Sequence, residues 1–526
     1  MKLLICDGLH ESGLDLLRSM TDLEVDNPDQ WSMEQITAKL SDYDAMIVRS
    51  RTKVTVEMLK NADKLKVIGR AGTGVDNIDV PSASAKGILV MNTPGANAMA
   101  AAEHTIALML ALARHVPQAA QSIREGGWEK KRFMGTELYE QTLGVLGLGR
   151  IGSIVADRAM GMGMAVIAHD PYITPEAATS MGIRWVNLDE LFAESDFITL
   201  HTPQTQETER IVNRVTIAKM KKDARIINCA RGGLIDEEAL YDALKSGHLA
   251  GAALDVFATE PPVNNPLIQM ENVIATPHLG ASSIQAQANV ARAIASQIIA
   301  YLQTGVIRNA VNFPSISTKV YDKLRPYLTL AEKLGSIQGQ LGVPCEQLDI
   351  EYSGSELEEV PLEPITQTVI KGFLEPVLSE KVNLVNAPIL LQERQIKLMT
   401  STASDPRGYP GIITVRTVGK EKIFSASGTV FPGEGARLIR LNDYRLEAEL
   451  EGINLVVQNL DKPGVIGLLG STLGDLHVNI ANMHLSRTPD RDKAISIIRI
   501  DDEAPVEALE RLRDHPNIVS VQQVKL

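Results

Sequence analysis

Cysteine is scarce in this chain: three residues in 526, widely spaced at Cys6, Cys229 and Cys345. So odd and scattered a set supplies neither a disulfide framework nor a zinc pattern, and a reducing compartment, the cytoplasm, is expected. Aromatic residues are few as well, at 4%, while aliphatic ones are plentiful, a balance that suits parallel sheets layered with helices rather than a sandwich of aromatic-rich strands. Long apolar runs are missing. The longest, 105–113, is about half the ~20 residues that cross a bilayer, and the apolar stretch 3–6 before Asp7 is too short for a signal peptide. No membrane association is expected. The formal charge of −13 is spread along the chain with no basic run, which argues against a nucleic-acid partner. There is no HExxH pair, no Cys-x-x-Cys and no Gly-x-Ser-x-Gly elbow, so neither a metal centre nor a serine hydrolase is indicated.

What is present is alternation. A prior of roughly 150 residues per domain suggests three or four domains. Short apolar runs at 3–5, 45–48, 65–68 and 88–90 alternate with helical patterns such as 33–40, the sign of βαβ units. A long, mostly apolar helix is expected over 97–114, with Asn97 as its N-cap. A second series at 142–146, 165–168, 197–200, 226–228, 251–254 and 273–274 reads as a doubly wound parallel sheet. After it, 282–303 is helical without strands of its own, and it packs back on the first unit if that unit is discontinuous. Pro314 and the neighbouring serines mark a boundary. Beyond it, 412–418 and 422–428 flank Gly419 like a hairpin inside an α+β domain. The segment 453–526 reads strand, helix, strand, turn, strand, helix, strand, a ferredoxin-like βαββαβ order. The expected division is 1–97 with 282–312, then 98–281, 318–450 and 453–526.

The first chemical motif is Gly147-Leu148-Gly149-Arg150-Ile151-Gly152. A lone G-x-G-x-x-G is weak, but here an apolar strand precedes it, a helical segment follows, and Asp170 stands about 20 residues on. Gly147 permits the tight turn, Gly149 lets the backbone approach a pyrophosphate, and Gly152 lets the helix pack on the strand. The helix start offers free N–H groups and a positive dipole end. Asp170 can accept hydrogen bonds from a ribose diol, so NAD is expected in preference to NADP.

Three further groups follow strands of the same sheet: Arg231, Glu260 and His278. Strand ends of one polarity line the ligand crevice of an open parallel sheet. An imidazole can take the hydroxyl proton during hydride transfer, a carboxylate beside it fixes its tautomer, and a guanidinium clasps a substrate carboxylate. Read one at a time, each has an ordinary alternative: Arg231 a helix-capping surface residue, Glu260 a loop acid, His278 a satisfied loop histidine.

These motifs, together with Gly69-Arg70-Ala71-Gly72-Thr73-Gly74-Val75-Asp76-Asn77, Asn228-Cys229-Ala230-Arg231-Gly232-Gly233, Asp255-Val256-Phe257 and Pro277-His278-Leu279-Gly280, resemble the D-isomer-specific 2-hydroxyacid dehydrogenases. From end to end the chain is similar to the long members of that family, which add an intervening allosteric domain and an ACT domain. The resemblance implies a flavodoxin-like, discontinuous substrate domain beside the Rossmann-type sheet, and oxidation of 3-phosphoglycerate to 3-phosphohydroxypyruvate with NAD, the entry step of serine synthesis. It assigns Arg231 to substrate binding, Glu260 to the histidine's partner and His278 to proton transfer. By similarity, Thr73, Arg150, Ile151, Asp170, Thr202, Cys229, Ala230, Asp255, Leu279, Gly280 and Ala281 meet the cofactor. Arg49, Arg70, Gly72 and Asn97 meet the substrate, and Arg132, in a basic cluster, reaches it across a dimer interface. A homodimer or homotetramer is implied. Asn459, Asp461 and Asn479 would hold an amino-acid effector, L-serine, between two ACT units; the alternative is an ACT fold that serves only for assembly. Hydroxypyruvate, glyoxylate and D-lactate dehydrogenases share the catalytic set but generally lack the two C-terminal domains, and corepressors of this fold bind NADH without a metabolic role.

Overall fold

The computed structural model describes residues 1–28, 31–314, 318–403, 408–420, 422–431, 433 and 435–526, with the side chains of 318, 319 and 322 left aside. The serines of the expected boundary, at 315 and 317, lie outside the described residues. Four sheets follow one another along the chain. The first is parallel, in the order Glu24–Asp26, Lys2–Ile5, Ala45–Val48, Val67–Arg70, Leu89–Met91. That is the flavodoxin-like order, with the second strand outside the first. Its interior strands are apolar on both faces because helices cover both sides.

The second sheet holds seven parallel strands, in the order Val273–Ala275, Gly251–Leu254, Arg225–Asn228, Phe197–Leu200, Thr142–Leu146, Ala165–His169, Arg184–Trp185. The chain starts at Thr142–Leu146, winds outward one way and then the other, so the crevice at the carboxyl end of that strand is the topological switch point where ligands bind. Helix Ala98–Arg114 leads from the first sheet to the second and buries Ala101, Ala102, Leu108, Met109 and Leu112. Helix Ile284–Thr304 runs back to the first sheet. A Cβ on Gly69 would crowd against Ile298 and Ile294 of that helix, so glycine sets how closely it lies on strand Val67–Arg70. Ala310 still bridges to Met91.

The third sheet is mixed, in the order Lys397–Ala403, Gln347–Ser353, Ile412–Val418, Ile423–Phe431, Gly435–Leu441, Tyr444–Glu449, with only the first pair parallel. Helices Thr318–Leu341 and Glu363–Leu374 pack together beside it. The fourth is antiparallel, in the order Ile480–Arg487, Lys493–Ile500, Ile453–Leu460, Ile518–Lys525, the ferredoxin-like arrangement. Among the described residues, no helix is long and apolar enough to cross a membrane.

Two local expectations need correction. Asn97 does precede the helix, but its side chain makes no capping bond; its Oδ1 accepts instead from the Thr73 hydroxyl at 2.7 Å. The short strand Glu24–Asp26 lay in no predicted run, because three half-polar residues carry too little periodicity to register.

Candidate active site

Each glycine of the fingerprint has a separate geometric reason. Gly147 has φ +94, and a Cβ there would press on the His201 carbonyl. Gly149 has open space where its Cβ would be, the backbone approach that a pyrophosphate needs. A Cβ on Gly152 would collide with the Gly147 carbonyl oxygen. Helix Arg150–Gly161 starts without a side-chain cap at Gly149, leaving its first N–H groups for an anion. The Thr202 hydroxyl beside the turn is buried with no partner among the described residues, an orphan that a bound dinucleotide can satisfy. Asp170 ends the next strand. Its Oδ2 accepts from Leu148 N–H at 2.8 Å and its Oδ1 from Tyr172 N–H at 2.8 Å, and each oxygen keeps a lone pair for a ribose hydroxyl. The residues present therefore fit the dinucleotide.

Below the turn, a cleft of about 720 Å³ opens between the first and second sheets. Arg49, Arg70, Gly72, Thr73 and Asn97 line it from one side; Ile151, Thr202, Cys229, Ala230, Arg231, Asp255, Glu260, His278, Gly280 and Ala281 line it from the other. Leu279 contributes its backbone N–H, donated to Asp255 Oδ1 at 2.7 Å.

His278 follows strand Val273–Ala275 in a left-handed conformation, φ +54. Its Nδ1 lies 2.9 Å from Glu260 Oε2, and Glu260 Oε1 accepts from Phe257 N–H at 3.2 Å. A carboxylate at Nδ1 makes that nitrogen the donor and leaves Nε2 to accept a proton. Arg231 donates from Nε to Asp76 Oδ2 at 3.0 Å and from Nη1 to the Ala230 carbonyl at 2.7 Å, and its side chain lines the cleft with Nη2 packed on Gly74.

Arg70 is the most constrained cation. Its Nε is buried without a partner among the described residues, and burial, with the Arg231 charge adding, lowers its pKa to about 10. Gly72, at φ +154, makes room for it, since a Cβ would overlap the Arg70 guanidinium. Arg49 is held by its backbone: Asp7 accepts its N–H at 2.7 Å, the Thr52 N–H at 3.1 Å and the Thr52 hydroxyl at 2.6 Å. A site with this much fixed positive charge and an unsatisfied guanidinium is built for an anion.

Several residues were not foreseen: Asp7, Asp76, His104 and Thr276. Asp255 takes hydrogen bonds from Thr276 Oγ1 at 2.6 Å, Leu279 N–H and Gly280 N–H, with His104 Nε2 at 3.2 Å. It thus clamps the loop that carries His278. Burial pushes the Asp255 carboxyl up, but these hydrogen bonds outweigh it and hold the pKa below its ordinary value. The signal for His104 was the polar triplet Glu103-His104-Thr105 inside a mostly apolar helix; Asp76 stood within the quoted motif. Burial pushes the Cys229 thiol up to about 12, with the Asp255 charge adding and a Thr105 hydrogen bond opposing.

Other expected residues are not gathered here. Arg132 pairs with Glu129 at 3.0 Å and Glu271 at 3.1 Å, in a separate groove beside strand Val273–Ala275. In the fourth sheet, Asn459 donates to the Leu460 carbonyl at 2.7 Å and keeps a buried, unpartnered Oδ1. Asp461 pairs with Arg487 at 3.3 Å, and Asn479 donates to Asp501 at 2.7 Å. Asn459 pairs with Ala494 at one end of the sheet, whereas Ile480 and Ile453 share Ile500 at the other. At about 3.3 Å per residue, Asn479 is on the order of 20 Å from Asn459. One chain therefore does not assemble the three; a second would have to supply Asn479.

Three family models match the chain: the NAD binding domain of the D-isomer specific 2-hydroxyacid dehydrogenases over residues 106–280, the D-3-phosphoglycerate dehydrogenase intervening domain over 323–442, and the ACT domain over 453–517. A D-3-phosphoglycerate dehydrogenase of Methanocaldococcus jannaschii is 43% identical, with 100% of both chains covered. One of Synechocystis sp. is 44% identical over 100% of this chain and 95% of its own. Among solved structures, a D-lactate dehydrogenase from Aquifex aeolicus complexed with NAD and lactic acid superposes with TM-score 0.54 at 29% identity, covering 60% of this chain and 100% of its own. With full-length relatives on that scale and all three domains matched, the chain belongs to the D-3-phosphoglycerate dehydrogenase family, within the D-isomer specific 2-hydroxyacid dehydrogenases.

Proposed function

We propose that the protein oxidises 3-phosphoglycerate to 3-phosphohydroxypyruvate with NAD, the first step of the phosphorylated route to L-serine, and that it works in the cytoplasm. The observation that carries the substrate is the buried Arg70 guanidinium with an unpartnered Nε, beside Arg49 and Arg231 in the cleft that holds the His278–Glu260 pair. Arg231 clasps the substrate carboxylate, and Arg49 and Arg70 take the phosphate. His278 Nε2 accepts the 2-hydroxyl proton, while Glu260, 2.9 Å from Nδ1, holds the ring in place. Bound NAD supplies the hydride acceptor, held at the glycine turn with Asp170 on its ribose. Thr73 faces the cofactor, and Gly72 and Asn97 the substrate, within the one cleft where the two ligands meet.

We divide the chain into a substrate-binding unit, 1–97 with 282–312, an NAD-binding unit, 98–281, an intervening unit, 318–450, and an ACT unit, 453–526. We further infer a homo-oligomer, a homodimer or homotetramer. Val116, Ile123, Trp128, Met134 and Tyr139 are all exposed on and beside helix Val116–Arg124, an apolar patch that calls for a cover. Arg132 stands beside the same helix, in the groove between it and strand Val273–Ala275, and would reach the second chain's cleft. Paired ACT units would bring Asn459 and Asp461 of one chain to Asn479 of the other, to bind L-serine.

The test is NADH formation from 3-phosphoglycerate, glycerate and D-lactate, with and without serine. Turnover of glycerate or lactate without turnover of 3-phosphoglycerate would sink the assignment.

A further inference from the structure

Three donor groups of different kinds meet at the wall of the cleft. Cys229 follows strand Arg225–Asn228, Asp255 follows strand Gly251–Leu254, and His104 reaches them from helix Ala98–Arg114. His104 Nε2, Cys229 Sγ and a carboxylate oxygen of Asp255 all lie within 4.8 Å of one another. Among the described residues, no other three histidine, cysteine or acidic groups come so close. They are far apart in the sequence, which is why no metal pattern shows there. Imidazole, thiolate and carboxylate are the donors that zinc takes, and a sulfur among them favours a thiophilic ion over magnesium or calcium.

The hydrogen bonds around the trio leave room for such an ion. Asp255 Oδ1 is already held by the Thr276 hydroxyl at 2.6 Å and the Leu279 N–H at 2.7 Å. His104 Nε2, at 3.2 Å from both Asp255 Oδ1 and Thr276 Oγ1, can therefore turn to an ion without orphaning either. Among the described residues, Asp255 Oδ2 accepts from the Gly280 N–H alone, at 2.8 Å, which leaves it a free lone pair. Bonds of about 2.3 Å to sulfur and about 2.0 Å to nitrogen set two ligands of one zinc ion about 3.5 Å apart, so side-chain rotations of roughly 1 Å gather the three. The charges close as well. The thiol gives its proton to solvent as the sulfur bonds to the metal, and the thiolate with the buried Asp255 carboxylate cancels the two positive charges. Cys229 and Asp255 both line the cleft, so the ion arrives from water and keeps water on its open side.

We propose that His104, Cys229 and Asp255 bind a thiophilic divalent cation of the zinc class, and that the bound ion excludes the dinucleotide, making an inhibitory site inside the cofactor cleft. The glycine turn holds the pyrophosphate and Asp170 the ribose at one end. The reactive end of the cofactor must then pass Cys229 and Asp255 to meet the substrate at His278, all in the one cleft. An ion at Asp255, with its waters, stands on that path. Only this exclusion rests on the placing of the ligands proposed above; the affinity for the ion does not.

The full chain, stripped of metal by a chelator and dialysed, is titrated with cadmium and with zinc. Cadmium should raise an ultraviolet thiolate-to-metal charge-transfer band that saturates at one ion per chain. Either ion should release bound NADH, seen as loss of its fluorescence, and added NADH should reverse the release. Cys229→Ser should abolish the band. Cys229→Ser and His104→Gln should each weaken the displacement of NADH by zinc about tenfold or more, the scale on which a lost metal contact is felt. The band is read without NADH, so a variant with a weakened cofactor site still reports on the ion. No band, a band that survives Cys229→Ser and so belongs to Cys6 or Cys345, or NADH that stays bound at saturating cadmium overturns the proposal. Neither readout contains 3-phosphoglycerate, so a wrong substrate would leave both unchanged and show itself in turnover alone.

Discussion

Cys229 lies in the cleft, where a thiol invites assignment as a nucleophile. Its pKa near 12 says otherwise, because only the thiolate attacks, and at pH 8 almost none is present. Cys229→Ala should keep kcat within about twofold, and iodoacetamide at pH 8 should leave Cys229 unmodified by mass spectrometry. His278 is different in kind. His278→Ala should lower kcat by roughly 10² to 10⁴, the usual worth of a positioned acid–base group, with little change in KM for NAD. Asp255 makes a pH-dependent contribution whose sign can be worked out. Its folded pKa lies below the ordinary 3.8, so the stabilisation is full above that value and is lost as pH falls through the lower folded value. The melting-temperature gap between the wild type and Asp255→Asn should be widest near neutrality and close below pH 4. A gap that widens in acid would contradict the clamp.

At the scale of elements, the glycine turn makes the sharpest case. Gly152→Ala sets a methyl against the Gly147 carbonyl, a backbone atom pinned at the start of the turn. It should cost about 1–3 kcal/mol of stability and raise KM for NAD ahead of KM for substrate. This turn was legible in the sequence because its chemistry is local: strand, three glycines, helix and acid all fall within residues 142–170. The parallel strands were legible for a similar reason, as apolar runs buried on both faces leave a plain trace. Contacts made across the chain left none. Arg231 meets Asp76 across 155 residues, and nothing in either motif says so. Asn97 stood in the right place for a cap, yet the fold aimed it at Thr73. Strand Lys397–Ala403, exposed on both faces, has no burial pattern to reveal it. Asn459 and Asn479 lie at opposite ends of the sheet within one chain, a separation that neither motif reveals and that only the pairing of two ACT units implied by the resemblance would close.

The whole molecule is divided unevenly. One apolar core runs from the first sheet through Ile307, Phe313 and helix Thr318–Leu341 to Ile495, Ile497 and Val524 of the fourth sheet, while the second sheet has two cores of its own. Any opening or closing of the cleft would therefore turn the second sheet, with its separate cores, against the rest. For an effector bound at the fourth sheet to act, it must bind more tightly to one arrangement than to the other, and the difference must pass through the intervening unit. Two polar joints lie on that route: Gln340 with Lys525, and Asn383, which donates to the Gly87 carbonyl at 2.8 Å just before strand Leu89–Met91. A hydrogen bond of this kind is worth about 1 kcal/mol, and 1.4 kcal/mol is about tenfold in affinity. If L-serine is the effector, as proposed, Asn383→Ala should leave its binding, measured by calorimetry, and turnover in its absence nearly unchanged, while weakening its inhibition roughly fivefold. Inhibition equal to that of the wild type would mean that the apolar core alone carries the coupling.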